Sequence, residues 1–273
     1  ALTIEATQFE RLLARADHWQ GIGDVAHRLQ AENGTLLLQG SQSDLTTTPF
    51  SDIDLVLFGD PSSKTHQQLR SEAEQHLMKA DPLQHHGVFF YDRAILRRYS
   101  ESVLPLATFA RSTAISEPVE LRFAIINDRY TPAHTLRSFV VAMQAFVKTP
   151  KIRGMWDWKY KVSQFLLIPT LLAAVMGKYI YKGDSFGLVA PLYCSDAWQA
   201  IDELSRVRQQ WHFVEDDALQ NKDVYIKDMQ RANGRLDYDP MQVPDSIASW
   251  KDEGFITSAG KLLDETLRLA GLK

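Results

Sequence analysis

Asp52 and Asp54 stand one residue apart in Ser51-Asp52-Ile53-Asp54-Leu55-Val56-Leu57-Phe58, and upstream the apolar run Leu36-Leu37-Leu38-Gln39 closes on Gly40-Ser41. Side chains along a strand alternate faces. Asp52, Asp54, Val56 and Phe58 are therefore expected on one side, with Ile53, Leu55 and Leu57 turned into a core. Converging carboxylates suit divalent ions, and two such ions roughly 3.5 to 4 Å apart clamp the attacking and leaving oxygens of an in-line displacement at phosphorus. Magnesium fits best, because it prefers oxygen ligands and is usually held by one or two carboxylates plus substrate phosphates. Gly40 would let backbone amides approach a polyanion, and the Ser41 hydroxyl could donate to a phosphate oxygen.

A lone Asp-x-Asp is more often a solvated turn or a helix cap. The composite is more specific: an apolar run ending in Gly-Ser, then, eleven residues after Ser41, Asp52-Ile53-Asp54 opening a second apolar run. In this composite the chain resembles the polymerase-beta-like nucleotidyltransferase superfamily, and its spacing is similar to that of the small antibiotic (aminoglycoside-type) nucleotidyltransferases. The resemblance implies that Asp52 and Asp54 are catalytic metal ligands and that Gly40, Ser41 and Thr46 bind nucleotide. It also implies two magnesium ions as cofactors and ATP or another NTP as co-substrate. One departure is Asp44, a negative charge within Gln42-Ser43-Asp44-Leu45-Thr46, where many relatives carry a small or basic run.

Such sites usually need a third acid to complete the metal shell or to take the proton of the attacking hydroxyl. Glu120 is the candidate. In Pro118-Val119-Glu120-Leu121-Arg122-Phe123-Ala124-Ile125-Ile126 the apolar residues share one face and Glu120 and Arg122 the other, and the superfamily carries its third acid in such a setting. The competing reading is an exposed glutamate on an edge strand paired with Arg122. Asp92 is the reserve.

Between Lys148 and Lys161 five basic residues (Lys148, Lys151, Arg153, Lys159, Lys161) meet one acid, Asp157, with Phe146, Trp156, Trp158 and Tyr160 interleaved. Such a stretch could neutralise a triphosphate or stack on a base, which makes Lys159 or Lys161 a candidate nucleotide contact. A solvated loop with core tryptophans explains the same residues. From Asp196 onward fifteen acids face ten bases, a balance suited to a small, cationic, hydroxylated acceptor such as an aminoglycoside, or simply an ordinary helical surface. RNA is the alternative acceptor. A catalytically silent nucleotide-binding module is a further alternative.

Composition sets wider limits. The chain has 273 residues, 45% hydrophobic and 23% charged, with a net charge of −4. That is globular, and it lacks the basic excess of a protein that coats nucleic acid. Cys194, the single cysteine, excludes an internal disulfide. Residues 1–10 have neither the basic start nor the apolar stretch of a secretory signal. Phe165 to Met176, interrupted by Pro169, is too short for a membrane span. A cytoplasmic protein without membrane association is expected. Related antibiotic enzymes can complete the cleft as dimers, so a homodimer is compatible, although no residue here marks an interface.

The positioning elements are read from periodicity. Helical spacing joins Phe9, Leu12, Leu13 and Ala16, then Val25 and Leu29, before strands at 35–39 and 53–58. A helix from about Pro61 to Lys79 shows Leu69, Ala73 and Leu77 and breaks at Asp81-Pro82; 88–91 reads as a strand, and 93–116 as a helix and a loop. Beyond Thr131-Pro132 the pattern turns helical: 136–147, 158–176, 195–210, 216–231 and 258–270, with Gly271 as C-cap. The fold class expected is α+β: a small mixed β-sheet nucleotidyltransferase domain flanked by helices over 1–130, followed by an all-helical substrate-binding domain over 131–273. His85-His86 lacks further ligands at zinc spacing. Gly21-Ile22-Gly23 lacks a strand-turn-helix setting, and Gly177-Lys178 completes no phosphate loop.

Overall fold

The computed structural model describes residues 2–6, 17–43, 48–81, 87–211 and 241–272. Within them the chain forms two compact units: an α/β unit of residues 1–47, 51–100 and 108–126, and a helical unit of 48–50, 101–107 and 127–273. The fold is mixed, a small sheet accompanied by helices. Among the described residues no helix is long and apolar enough to cross a membrane. The expected helices at 9–16 and 216–231, like Thr46, Asp44 and His85-His86, lie outside the described residues.

In the α/β unit four strands pair in the order β4 (Phe89–Asp92), β3 (Asp54–Gly59), β2 (Thr35–Gln39), β5 (Thr113–Ala114). β2 and β3 run antiparallel, with Gln39 opposite Asp54 and Leu37 opposite Val56. The pair β3–β4 is parallel, reached through α2 (Lys64–Ala80), the crossover that parallel neighbours require. Alternation along β3 sorts its side chains as the residues suggest. Ile53, Leu55 and Leu57 enter a core with Ile22, Val25 and Leu29 of α1 (Asp17–Ala31) and Leu69, Ala73 and Leu77 of α2. Phe58, on the opposite face, meets the rings of Tyr91, Phe109 and Phe123, each within 6.4 Å centre to centre.

The helices α1 and α2 approach closely at Gly21, where a Cβ would fall 2.2 Å from the His76 ring. Gly21 therefore serves helix packing. α2 opens on the Ser63 hydroxyl, which accepts from the His66 amide, and stops at Asp81, whose own N–H still bonds back to the Leu77 carbonyl. Residues 93–98 and 106–109 form 3-10 turns instead of the expected helix, since segments this short cannot repay helix nucleation.

A separate two-stranded sheet joins β1 (Leu2–Ala6) and β6 (Val119–Phe123) in antiparallel register, Glu5 opposite Glu120. The chain after β6 is tied to residues 96–99 by backbone bonds from Tyr99 N–H to Ala124 O and from Ala124 N–H to Leu96 O.

The helical unit packs α3 (Pro132–Lys148), α4 (Met155–Val175), α5 (Lys182–Val189), α6 (Ser195–Gln210) and α7 (Glu253–Leu269) around one apolar core. α4 is apolar on nearly every face and fully interior from Phe165 to Leu166 and Ile168 to Ala174, Pro169 included. α7 starts five residues before the periodic pattern suggests, because Asp252 caps it by accepting from Gly254 N–H at 2.6 Å. Gly183 and Gly187 dilute the helical signal of α5. Gly271, with φ of +67°, ends α7 as expected.

Candidate functional site

Where β2 gives way to β3, Gly40, Ser41 and Asp54 come together, with Asp52 two residues ahead of Asp54 in the chain. β2 ends at Gln39, and Gly40 turns the chain with φ of +71°, a left-handed conformation that side chains other than glycine rarely adopt. A Cβ at this position would lie 2.9 Å from Asp54 Oδ2. The missing side chain is what lets the Asp54 carboxylate rest against the turn. Two conformational requirements, positive φ and close approach, thus converge on one glycine.

Ser41, buried, donates from Oγ to Ser51 Oγ at 2.8 Å. The hydroxyl expected to meet a phosphate therefore clips the two ends of the loop together. Ser43 Oγ closes the same turn by donating to Gly40 O at 2.7 Å. Asp52 and Asp54 are half-buried, and Asp54 opens β3, so its backbone is fixed by the ladder to Gln39. Asp52 lies just before the ladder begins. Its backbone is held instead through the next residue: Ile53 N–H donates to Asp81 Oδ2 at 2.7 Å, and Asp81 is 3% exposed.

Glu120 lies elsewhere. It belongs to the β1–β6 sheet and not to the sheet that carries Asp54; it stands exposed opposite Glu5, and Arg122 Nη2 holds its Oε1 at 3.2 Å. Asp92, the reserve, is exposed and accepts from Ala94 N–H at 2.8 Å as a turn cap. Among the described residues no three His, Cys, Asp or Glu side chains gather as a metal-holding group. The pair Asp52–Asp54 by itself matches the donor chemistry of magnesium, hard carboxylate oxygens with substrate phosphates as the remaining ligands, and the bare Gly40 backbone is what admits the Asp54 carboxylate beside it.

Lys159 and Lys161 belong to the helical unit. Lys159 is 2% exposed, its ammonium 4.3 Å from the centre of the Phe50 ring, and Arg208 stands over the same ring at 5.8 Å. Phe50 also meets Trp211 edge-on at 5.1 Å. Lys161 is half-buried and lies over Phe146 and Tyr160. Trp156 and Trp158 are core residues, and Trp158 Nε1 donates to Ile247 O at 2.8 Å. They provide no stacking surface; of the four interleaved aromatics Tyr160 alone is exposed.

Two residues were not singled out from sequence. Asp81 reads there only as a helix breaker, and Ser51 as a neighbour of the acidic pair. Asp81-Pro82 carried a signal in retrospect, because a buried aspartate ending an amphipathic helix needs a donor. A third such residue lies in the helical unit. Glu101, 5% exposed, accepts from Leu106 N–H at 3.3 Å, and burial pushes its carboxyl up to about 7.

Compared with protein-family models, with curated proteins and with solved structures, the chain matches none.

Proposed function

We propose that this chain is a nucleotidyltransferase that moves a nucleoside monophosphate, AMP from ATP, onto a hydroxyl of a small cationic acceptor such as an aminoglycoside. The acceptor oxygen forms a bond to the α-phosphorus, and the bond from that phosphorus to the bridging oxygen breaks. Pyrophosphate leaves with the electron pair, and the hydroxyl proton passes to a carboxylate or to water. Asp52 and Asp54 would hold magnesium, which when bound spreads the charge of the attacking and leaving oxygens. Gly40 and the loop clipped by Ser41 and Ser51 would present the backbone to the phosphates.

One observation supports this reading above the others: the Asp54 carboxylate packed where a Gly40 side chain would stand, with Asp52 two residues before it. Glycine adopts the left-handed turn without strain, and its missing side chain is what allows the Asp54 carboxylate to sit beside the turn that would meet the phosphates. The test is incubation with ATP, magnesium and a panel of aminoglycosides, read by mass spectrometry for an added AMP, with total RNA and each labelled NTP in parallel. A modified aminoglycoside supports the reading. Label in RNA alone moves the acceptor to nucleic acid, and no transfer in any arm removes the enzymatic reading.

A further inference from the structure

We infer that Asp81 is a positioning residue for the acidic pair, fixing the peptide between Asp52 and Asp54; this rests on the function proposed above. The Ile53 amide is the only backbone N–H between the two carboxylate-bearing residues. It lies ahead of the first β2–β3 pair, Gln39 with Asp54, so the ladder does not hold it. Asp81 Oδ2 accepts from it at 2.7 Å, across twenty-eight residues of sequence. At 3% exposure the bond is shielded from competing water.

The bond controls a geometry as well as adding stability. Ile53 turns its side chain into the core between α1 and α2, while Asp54, the next residue, opens β3 and carries the carboxylate that rests against Gly40. Tethering its N–H sets the pitch of the chain between the two aspartates. Asp81 is itself fixed, because its backbone N–H bonds to Leu77 O at 3.0 Å as the C-cap of α2. The packing of α2 on the sheet is thereby transmitted to the acidic pair. Partners of this kind, behind metal-binding carboxylates, are worth roughly 10- to 100-fold in metal affinity or activity.

The experiment compares the wild type, Asp81→Asn and Asp81→Glu in the full chain. It reads Ile53 amide hydrogen exchange by NMR, Mn2+ affinity by water-proton relaxation, and the turnover and KM for ATP. Asp81→Asn keeps an acceptor at the same reach. It should keep Ile53 protection and lose less than about tenfold in Mn2+ affinity. Asp81→Glu keeps the carboxyl group but displaces it by a methylene. Ile53 should then exchange at least about tenfold faster while Leu55 and Leu57 stay protected, and Mn2+ affinity and turnover should fall about 10- to 100-fold with the KM for ATP within about twofold. Unchanged Ile53 exchange in Asp81→Glu, or faster exchange with unaltered Mn2+ affinity, overturns the assignment. Failure of the underlying function is distinguishable: wild type and Asp52→Asn would then bind Mn2+ alike, whatever Ile53 exchange shows.

Discussion

The Asp54 carboxylate occupies the space in which a side chain at Gly40 would begin, Oδ2 lying 2.9 Å from the position of an ideal Cβ. The residue that follows one strand and the first residue of its neighbour are thus mutually constrained, and the constraint is steric as well as conformational. Gly40→Ala must relieve a left-handed φ that costs an L-residue about 1 to 2 kcal/mol, and must also push the carboxylate aside. Stability measured by urea titration should fall by that amount. Mn2+ affinity should fall as well. A fully stable Gly40→Ala chain with unaltered metal binding would show that the close approach has no functional consequence.

Asp52→Asn and Asp54→Asn separate function from folding. Each removes one of two neighbouring like charges, and stability should hold within about 1 kcal/mol, as for substitutions that leave core and caps intact. Transfer should drop at least about a thousandfold, because a lost carboxylate ligand removes several kcal/mol of transition-state stabilisation. The check is paired: circular dichroism melts beside a labelled-ATP assay. Melts unchanged with turnover intact would take the acidic pair out of the chemistry.

Glu120→Ala should have little effect on either measurement. The carboxylate is exposed, its bond to Arg122 spans 3.2 Å between two exposed side chains, and Glu5 faces it across the β1–β6 pair. Exposed pairs contribute about 0 to 1 kcal/mol, and like charges directly opposite each other are unfavourable. The expected melt is within about half a kcal/mol of wild type, with turnover within about threefold. A loss of several decades in turnover would instead place Glu120 at the reacting centre.

Lys159 is predicted to act in the fold. Its ammonium is 4.3 Å from the Phe50 ring centre and the residue is 2% exposed, and desolvated cation–π contacts are worth about 2 kcal/mol. Lys159→Ala, which also leaves a cavity, should lose roughly 2 to 5 kcal/mol, and Lys159→Met, which keeps most of the volume, clearly less. Equal, negligible losses in urea titrations would show that the packing around Phe50 is not what holds Lys159.

How far the sequence carries depends on whether the determinant is local. β2, β3 and α2 are legible because their periodicity and burial agree: Leu69, Ala73 and Leu77 are the expected face of α2 and the observed one. α6 spans the predicted Ser195–Gln210. Glu120 was legible as a strand residue, but which strand it joins was not, since pairing with β1 is made across more than a hundred residues and leaves no local mark. The Asp81 tether is invisible for the same reason. In the stretch 148–161 the charges and rings are plain, yet long amphipathic side chains bury their stems and rings while showing their heads. The alternation there could not reveal that Trp156, Trp158 and Lys159 are interior.

Glu101 makes stability depend on pH in a window separate from that of the other carboxylates. Burial holds its carboxyl at about 7, well above the ordinary range, with the Leu106 N–H pulling weakly the other way. Tyr179 is a titratable neighbour, its own hydroxyl raised by burial and by Glu101. Because the folded state keeps the proton longer than the unfolded chain, the contribution is fully present below the ordinary carboxylate range and is lost as pH rises through about 7. Paired surface acids such as Asp196 and Asp245, whose carboxyls are lowered by Lys261 and Lys251, act in the opposite sense and only at more acid pH. Wild-type urea midpoints should therefore decline between about pH 5 and pH 8, and Glu101→Gln, neutral throughout, should flatten that decline and be the more stable protein at pH 8 by on the order of 1 kcal/mol or more. Parallel pH profiles for the two proteins would mean that the Glu101 carboxylate is solvated in the folded state.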